Sequence, residues 1–583
     1  MPELVEQLKA NTLASLSPFA PELAICGTII VLLLVRLFDF LRWLDAFYIA
    51  LAGTILAFAL AALPGPPEAR TEIFTGMLVY DGFAWYIRSF LLAFGVLFVL
   101  FTCLSGVPQR EDRTDFYALF LGGTLGMCLM ATANHMLTVF LAVEMASIPS
   151  YVLAGSLRQR RSSEAALKYA VYGAGAAGIM VYGISLVCGI THSAHLPTMA
   201  AQLAGMFHAG EIHSGEALAL ALGGLMIMVG LAFKLSAVPF HFWCPDVFEG
   251  AAAEIGAFLS VASKGAALAL LVRVALGLGL VPPDYPVESF PAASTGTVAV
   301  DARTNVTTAG LMNIADEAVA APATVEPVAA SATLTHAEAT KALSPVRHFS
   351  AIMIAVIAAI TCTFGNLAAY GQTNIKRLLA YSTIAHAGYM MMAVPPAIIL
   401  AEYDPSAARD AIGALGLYLA VYLFMNLGAF AVVAFLRNRL GSEEIADYAG
   451  LVRSCPGVVV CLSAILFSLV GLPPLAGFVG KFAIFASLVD GYRATAAAGV
   501  AANYFIVLLV IGGVNTAISL FYYLRVVKVM SIDPEPATRV PINFPLVSLS
   551  GAYLALITAP VLLLMLSWEW INALARAAAQ QLM

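Results

Sequence analysis

Long apolar stretches with almost no charged residues restrict how this chain of 583 residues can fold more than any other feature. A bilayer core about 30 Å thick requires roughly 20 apolar residues per helix. No alternation of period two recurs along the stretches, which disfavours a β-barrel. The sequence therefore predicts an all-α polytopic membrane protein. About fourteen stretches are long enough, near residues 20–40, 46–63, 83–105, 116–132, 136–156, 166–190, 217–240, 251–280, 349–369, 379–400, 411–436, 455–489, 501–529 and 545–567.

The charges support the same prediction and suggest an orientation. Only 11% of the residues are charged, against about 25% in a soluble domain, so the chain could not cover a water-facing surface. The formal net charge of -6 disfavours a nucleic-acid-binding protein. With the N-terminus outside, inner loops and adjoining helix ends hold sixteen Lys and Arg residues and outer regions hold eight. With fourteen spans, both termini would face the outer side.

No pattern in the chain predicts a bound cofactor or metal. The eight cysteines are scattered and form no CxxC pair, so neither a disulfide framework nor an iron–sulfur or zinc site is expected. Residues 173–178 fit G-x-G-x-x-G, but they lie in an apolar helix with no preceding strand. Close helix packing explains these small residues better than dinucleotide binding.

Charged residues inside the apolar stretches are few and carry the functional interpretation. Lys234, Lys264 and Lys481 lie well inside their stretches, and each would cost about 2.5–3.5 kcal/mol at the bilayer centre. Glu144 could form a structural ion pair with one of them, which would leave two lysines unexplained. A lysine without an acid partner releases its proton more readily in a low-dielectric site, so proton transfer is the predicted use. Two arginines toward helix ends are predicted to snorkel to the interface instead: Arg88 and Arg273.

Prolines predict two broken helices close to these lysines. Pro239 follows Lys234 by five residues, and Pro473 and Pro474 precede Lys481 by eight and seven. A proline inside a helix removes a backbone hydrogen bond and frees carbonyls that water or side chains must satisfy. Interrupted helices beside buried charges are typical of transporters built from repeats, although a single proline would also fit a harmless kink.

Four segments resemble the antiporter-like membrane subunits of respiratory complex I, and most closely the subunit N family, the counterpart of mitochondrial NADH dehydrogenase subunit 2. They are KLSAVPFHFWCPDVFEG (234–250), KRLLAYSTIAHAGY (376–389), GLPPLAGFVGKF (471–482) and SLFYYLRVVK (519–528). A lysine at position 481 differs from the subunit M type, which carries glutamate there.

The resemblance implies two inverted five-helix repeats, each with a broken helix. The chain would then comprise an N-terminal three-helix segment (1–112), a first repeat (113–281), a second repeat (349–530) and a C-terminal helix (531–583). Residues 282–348 between the repeats are rich in Ala, Thr, Val, Pro and Glu and contain no helical stripe of useful length. They are predicted to form an outer, poorly ordered insertion.

The resemblance also implies roles for the buried charges. Glu144 matches the fifth-helix glutamate, and Lys234 matches the seventh-helix lysine that pairs with it. Lys264 matches the eighth-helix lysine on the central water-filled axis, and Lys481 matches the twelfth-helix lysine near the exit.

The sequence does not decide the roles of two histidines and one acid. His241 and His386 are candidate relay members, and each is explained equally well as a packed, hydrogen-bonded histidine. Glu254 lies close after Glu249 and Gly250, where the family usually has Ala-Pro, which leaves the loop contacts there in doubt.

The implied function is that of a proton-translocating subunit of NADH:quinone oxidoreductase, a translocase whose redox centres lie in other chains. Its partners would be other membrane subunits of complex I, the lipid bilayer, protons and internal water, in the inner (plasma) membrane of a bacterium. Two alternatives stay open: a subunit of a multi-subunit cation/proton antiporter, and a scaffold subunit that does not pump.

Overall fold

The computed structural model describes residues 2–38, 44–283, 285, 334–500, 502–536, 539, 544–545 and 547–582. Apart from one two-stranded antiparallel hairpin, the named elements in these residues are helices. The predicted all-α class is therefore confirmed.

The helices and strands follow one another along the chain with short connections. The first half contains α1 (Pro2–Leu16), α2 (Ala20–Leu37), α3 (Ala46–Ala62), β1 (Thr71–Ile73), β2 (Leu78–Tyr80), α4 (Gly82–Ser105), α5 (Arg113–Thr132), α6 (Met136–Ala154), α7 (Arg160–Thr191), α8 (Leu196–Ala209), α9 (Ser214–Leu235), α10 (Trp243–Gly250) and α11 (Ala253–Gly279). The second half contains α12 (His336–Ala342), α13 (Ser344–Ala369), α14 (Ile375–Met391), α15 (Val394–Tyr403), α16 (Pro405–Leu440), α17 (Leu451–Ser454), α18 (Pro456–Val470), α19 (Ala476–Ala497), α20 (Tyr504–Ser531), α21 (Leu549–Leu563) and α22 (Glu569–Ala579).

The helices agree with the predicted apolar stretches, each of which overlaps at least one helix. By length and composition, eleven helical spans in the described residues could cross a membrane. Three further apolar helices are shorter: Ala46–Ala62, Pro456–Val470 and Leu549–Leu563. The chain is thus a polytopic helical membrane protein, and the total of fourteen crossings stays a prediction.

Two long helices, α11 and α16, form the centre of the bundle. All residues of α11 from Ala253 to Leu276 are buried, as is most of α16. The two helices run antiparallel, because Arg437 near the end of α16 bonds to Glu254 near the start of α11. Apolar side chains are instead exposed on outer helices such as α2, α7 and α20, as expected for surfaces that face lipid.

Both ends of the described chain lie beside the hairpin. The Phe74 amide between the two strands donates to the Ser15 hydroxyl near the end of α1, at 3.0 Å. The Gly82 amide, directly after the hairpin, donates to the side-chain oxygen of Gln581 at 2.7 Å. The first and last helices therefore meet the same end of the bundle, which we call the hairpin end.

The two predicted helix breaks are present. The first lies between α9 and α10 and contains Pro239, and the second lies between α18 and α19 and contains Pro473 and Pro474. Each preceding helix ends at a residue in the left-handed region, Ser236 (φ 55°) and Gly471 (φ 88°), a common way to terminate a helix.

The prediction that two arginines snorkel to the interface was wrong. Arg88 is 2% exposed and donates to Glu22 at 2.5 Å, and Arg273 is 6% exposed and donates to both carboxylate oxygens of Asp81 at 2.5 Å. Both acids come from other segments, and a neighbour in space is not visible as a neighbour in sequence. A buried ion pair removes the need to reach water.

Most of the predicted insertion, residues 286–333, lies outside the described residues. Its last part is helical rather than irregular: α12 begins after Thr335, whose hydroxyl accepts a hydrogen bond from the Glu338 amide at 3.3 Å. The following helix, α13, begins at Ser344, before the predicted repeat boundary of 349.

Of the three glycines in residues 173–178, one packs closely against another helix. A Cβ on Gly173 would lie 1.9 Å from the Tyr151 hydroxyl, whereas Gly175 and Gly178 have open space. The packing interpretation therefore holds for Gly173 and was wrong for the other two glycines.

Candidate functional site

Lys234 lies in the last turn of α9, where the helix breaks, and its side chain is buried. Its ammonium donates to the Ser147 hydroxyl of α6 at 3.0 Å. Ser147 is one turn beyond Glu144 on the same helix, and Glu144 is half-buried. No Glu144–Lys234 ion pair within 4.0 Å occurs among the described residues, so the hydroxyl holds the lysine next to the acid without direct pairing.

Lys264 joins α11 to the first helix break. Its ammonium donates to the Leu235 carbonyl at 2.7 Å and to the Ser236 hydroxyl, and it lies 5.2 Å from the centre of the Trp243 ring. The last carbonyls of a helix lack intrahelical donors, so Lys264 acts as a cap for α9. Since Leu235 directly follows Lys234, the two lysines meet the same turn of chain.

Lys481 has the same relation to the second break. Its ammonium donates to the Val470 carbonyl, the last residue of α18, at 2.9 Å. It also lies 4.3 Å from the centre of the Tyr389 ring, within the distance of a cation–π contact. The two breaks are thus capped alike, by an ammonium that binds a freed carbonyl.

The three lysines differ from the other buried cations. Among the described residues, the four other buried Arg and Lys side chains each form an ion pair: Arg88 with Glu22, Arg273 with Asp81, Arg347 with Glu402 and Lys376 with Glu443. Lys234, Lys264 and Lys481 are 1–3% exposed. None has a carboxylate within 4.0 Å in the part of the chain that the structure describes. We call these three residues the lysine row.

His386 lies beside the second part of this row. One ring nitrogen is 2.6 Å from the Tyr418 hydroxyl and the other is 3.3 Å from the Tyr523 hydroxyl. Tyr418 in turn packs against Gly480, where a Cβ would lie 2.2 Å from its ring, directly before Lys481. The histidine is therefore buried among hydroxyl groups near Lys481.

Buried polar atoms without a protein partner among the described residues lie on α11 and α16 near the level of Lys264. The antiparallel helices α11 and α16 meet where Gly256 packs on Phe430. Lys264 follows Gly256 by as many residues as Tyr422 precedes Phe430. With the same rise of ~1.5 Å per residue on both helices, Lys264 therefore lies at the level of Tyr422. The Tyr422 hydroxyl, both amide atoms of Asn426 and the Ser263 hydroxyl lack hydrogen bonds to the described residues. Buried groups of this kind normally bind internal water.

His241 does not join the lysine row. It lies in the first break, and its ring is 4.5 Å from that of Phe364 on α13 and 4.8 Å from that of Phe242. His241 itself is 7% exposed, its Nδ1 has no hydrogen-bond partner among the described residues, and in the same residues no hydrogen bond links it to Lys264.

A cluster of charges surrounds α10 at the end of the bundle opposite the hairpin. Asp246 accepts hydrogen bonds from Lys168 and Arg377, each at 2.9 Å. Burial alone would raise the pKa of Asp246, but the hydrogen bonds and charges of these two cations hold it below its usual value.

Sequence reasoning found the lysines and His386 but missed the hydroxyl groups that bind them. Ser147 and Tyr418 carry no charge and lie in apolar helices outside the four quoted segments, so no sequence signal marks them. Tyr523 lies within the segment SLFYYLRVVK, but nothing in that segment indicates a contact with His386. Among the described residues, no group of three or more His, Cys, Asp or Glu side chains could hold a metal ion.

The broken apolar helices, each with a buried ammonium group at the break, agree with the class that the sequence resembles, the antiporter-like membrane subunits. The family model described as NADH:quinone oxidoreductase/Mrp antiporter, transmembrane, matches residues 133–285 and 317–508, more than half of the chain. The chain belongs to the NADH-quinone oxidoreductase subunit N family, a conclusion that also rests on its relatives.

Curated relatives match over nearly the whole chain. NADH-quinone oxidoreductase subunit N of Anaeromyxobacter sp. (strain Fw109-5) is 36% identical over 528 residues, covering 90% of this chain and 89% of the relative. Subunit N 2 of Sorangium cellulosum (strain So ce56) is 34% identical over 584 residues, covering 97% of each.

Solved structures share the fold. A chain of respiratory complex I from Thermus thermophilus, determined with bound aureothin, has a TM-score of 0.66 and 26% identity and covers 95% of this chain and 98% of its own. A chain of the Mrp complex from Dietzia sp. DQ12-45-1b has a TM-score of 0.67 at 17% identity, covering 98% of this chain and 97% of its own. At 17% identity, the Mrp structure supports the fold alone. The subunit N relatives, at 36% and 34% identity, therefore favour the oxidoreductase over the cation antiporter.

Proposed function

We propose that this chain carries protons across the membrane through Glu144 and the lysine row, as a membrane subunit of an NADH:quinone oxidoreductase. The observation that carries the proposal is the contrast among the buried cations. Among the described residues, the other buried cations have carboxylate partners, whereas the ammonium groups of the lysine row donate to carbonyl and hydroxyl oxygens. A buried ammonium without a counter-ion is costly, so its charge is conditional and its proton can leave.

The switch is the pair of Glu144 and Lys234. Two charges at about 4 Å interact by roughly 4 kcal/mol at an effective dielectric constant of about 20. Moving one charge against about 100 mV requires about 2.3 kcal/mol. Closing and opening this one pair therefore changes the energy by enough to move one proton against such a potential. Ser147 keeps Lys234 near Glu144 when the pair is open.

From Lys234 the proton passes to Lys264, which binds the adjoining turn of chain. Internal water at the unpartnered polar atoms of Tyr422 and Asn426 would continue the path toward His386. His386 and Tyr418 would then lead to Lys481. We leave His241 out of this path, because its ring packs against Phe242 and Phe364 and no hydrogen bond joins it to the lysine row among the described residues.

The energy for the switch would come from redox chemistry in partner subunits. The relatives are subunits of an NADH-quinone oxidoreductase, and we propose that this chain holds no cofactor of its own and works beside other membrane subunits in a bacterial inner membrane. The excess of Lys and Arg in predicted inner loops favours an orientation with both termini outside.

Replacing lysines of the row in the assembled complex tests the proposal. We expect Lys264→Ala and Lys481→Ala to lower the number of protons pumped per electron, measured in vesicles supplied with NADH and a quinone. Lys528→Ala is the matched control, because Lys528 is an exposed lysine near the end of α20, and it should pump normally. Normal pumping by both row variants, with the complex intact, would favour a scaffold subunit instead.

A further inference from the structure

The charged cluster around α10 joins the two halves of the chain. Asp246 accepts from Lys168 of α7 through one carboxylate oxygen and from Arg377 of α14 through the other, each at 2.9 Å. The same Arg377 nitrogen also donates to Glu249 at 2.8 Å. Since α7 precedes α10 and α14 lies in the second half, Asp246 bridges helices that are far apart in sequence.

The helix that carries Asp246 depends on such contacts for its position. It has eight residues, and an isolated helix of that length is unstable. Its first residue, Trp243, stacks on Tyr169 of α7 with ring centres 4.1 Å apart and planes inclined by 7°. Tyr169 directly follows Lys168, so α7 holds α10 through two successive residues, one by stacking and one by an ion pair.

The position of α10 determines the surroundings of Lys264. The ammonium binds the Leu235 carbonyl at the end of α9 and lies 5.2 Å from the Trp243 ring at the start of α10. The Trp243 ring nitrogen also donates to the Phe233 carbonyl at 3.0 Å and thereby spans the break. A displacement of α10 relative to α9 must therefore change the groups around Lys264.

We propose that Asp246 is a positioning residue for the proton path: its ion pairs with Lys168 and Arg377 hold α10 where Trp243 and Leu235 together receive Lys264. This inference rests on the proposed function of the lysine row. If Asp246 acts in this way, proton transfer at Lys264 requires the contact between the two halves of the chain. Glu249 shares Arg377 but has no ion pair with α7 among the described residues, so it is a weaker anchor.

The first test measures protons pumped per electron in the assembled complex. Asp246→Asn should lower this ratio toward that of Lys264→Ala, and Asp246→Glu should restore it because the carboxylate remains. Glu164→Gln is the matched control: it removes the other acid bonded to Lys168, at 2.9 Å, and leaves the Asp246–Arg377 pair intact. That control should pump normally.

The second test measures hydrogen–deuterium exchange of residues 236–250 in the same complexes. Losing charge-assisted hydrogen bonds at Asp246 should accelerate exchange there roughly tenfold in Asp246→Asn, with no change in Asp246→Glu or Glu164→Gln. If Asp246→Asn fails to assemble, Lys168→Gln removes one of the two ion pairs, and both measurements apply to it.

The outcomes separate this inference from the proposed function. A normal pumping ratio in Asp246→Asn, with a deficit in Lys264→Ala, would overturn the inference and leave the proposed function standing. A normal ratio in Lys264→Ala would overturn the proposed function itself. A deficit in Asp246→Asn that Asp246→Glu does not restore would also count against the inference, because the charge would then be irrelevant.

Discussion

At the scale of single residues, buried cations divide into two groups with different chemistry. Arg88 and Arg273 bind carboxylates, and a guanidinium stays charged under all physiological conditions. Lys264 and Lys481 bind backbone carbonyls at helix breaks, and a lysine exchanges its proton when buried. Buried cations that are paired with a carboxylate, Lys376 included, keep their charge, and in the proposed path the lysine row lies where the charge changes.

Ser147 offers a test of the Glu144–Lys234 switch at this scale. Ser147→Ala removes the side-chain acceptor of the Lys234 ammonium and should slow proton pumping roughly tenfold to a hundredfold, since a hydrogen bond to a charged group contributes about 1.5–3 kcal/mol. Ser150→Ala is the control, because the Ser150 hydroxyl lies on the same helix and, among the described residues, bonds to the Ala146 carbonyl alone. Pumping rates in inverted vesicles would check both, and equal rates in the two variants would contradict the role of Ser147.

At the scale of helices, the close packing of α6 against α7 supports the aromatic rings beside Lys264. Tyr151 of α6 occupies the space above Gly173 of α7. Its ring lies 4.6 Å from that of Tyr169, which stacks on Trp243 beside Lys264. A glycine is needed at position 173 because the Tyr151 side chain occupies the space that a Cβ would fill.

Two neighbouring glycines test this packing. Gly173→Ala should destabilise the complex by about 1–3 kcal/mol, the usual effect of overpacking, because its methyl would collide with the Tyr151 hydroxyl. Gly175→Ala should leave stability unchanged or slightly raised, since nothing lies within 4 Å of its added methyl and alanine favours a helix. Thermal dissociation of the purified complex measures both, and equal midpoints would refute the packing argument.

At the scale of the whole molecule, the two ends of the bundle differ in what they carry. The hairpin end holds α1 and the residues after α22. The opposite end holds the ion pairs of α10 and those between Lys376 and Glu443 and between Arg437 and Glu254. Basic residues concentrate on the inner side of membrane proteins, so we expect the hairpin end to face outward.

Labelling of single introduced cysteines tests this orientation. Lys341→Cys on α12 and Arg439→Cys near the end of α16 replace exposed residues at opposite ends. A membrane-impermeant maleimide should modify Lys341→Cys in intact spheroplasts and Arg439→Cys only in inverted vesicles, with the modified peptides identified by mass spectrometry. The reverse pattern would contradict the orientation, and the native cysteines in the same digests serve as an internal reference.

Much of the architecture was predictable from the sequence. Apolar length predicts where helices lie, because a span must cover a bilayer of known thickness. Pro239, Pro473 and Pro474 predict the breaks, because proline removes a backbone donor wherever it falls. The three lysines stand out for the same local reason: a charge in an apolar stretch is costly whatever surrounds it.

Partnership was decided only by the tertiary structure. Whether a buried cation has an acid beside it depends on which helices meet. The sequence therefore missed the acid partners of Arg88 and Arg273, and the direct Glu144–Lys234 pair that the resemblance implied does not occur among the described residues. The same reason hid Ser147, whose hydroxyl matters only because α9 brings Lys234 against it. The cost of removing a charge from water can be recognised from the apolar stretch in which the residue lies. A hydrogen bond instead needs a second group, and only folding brings that group into place.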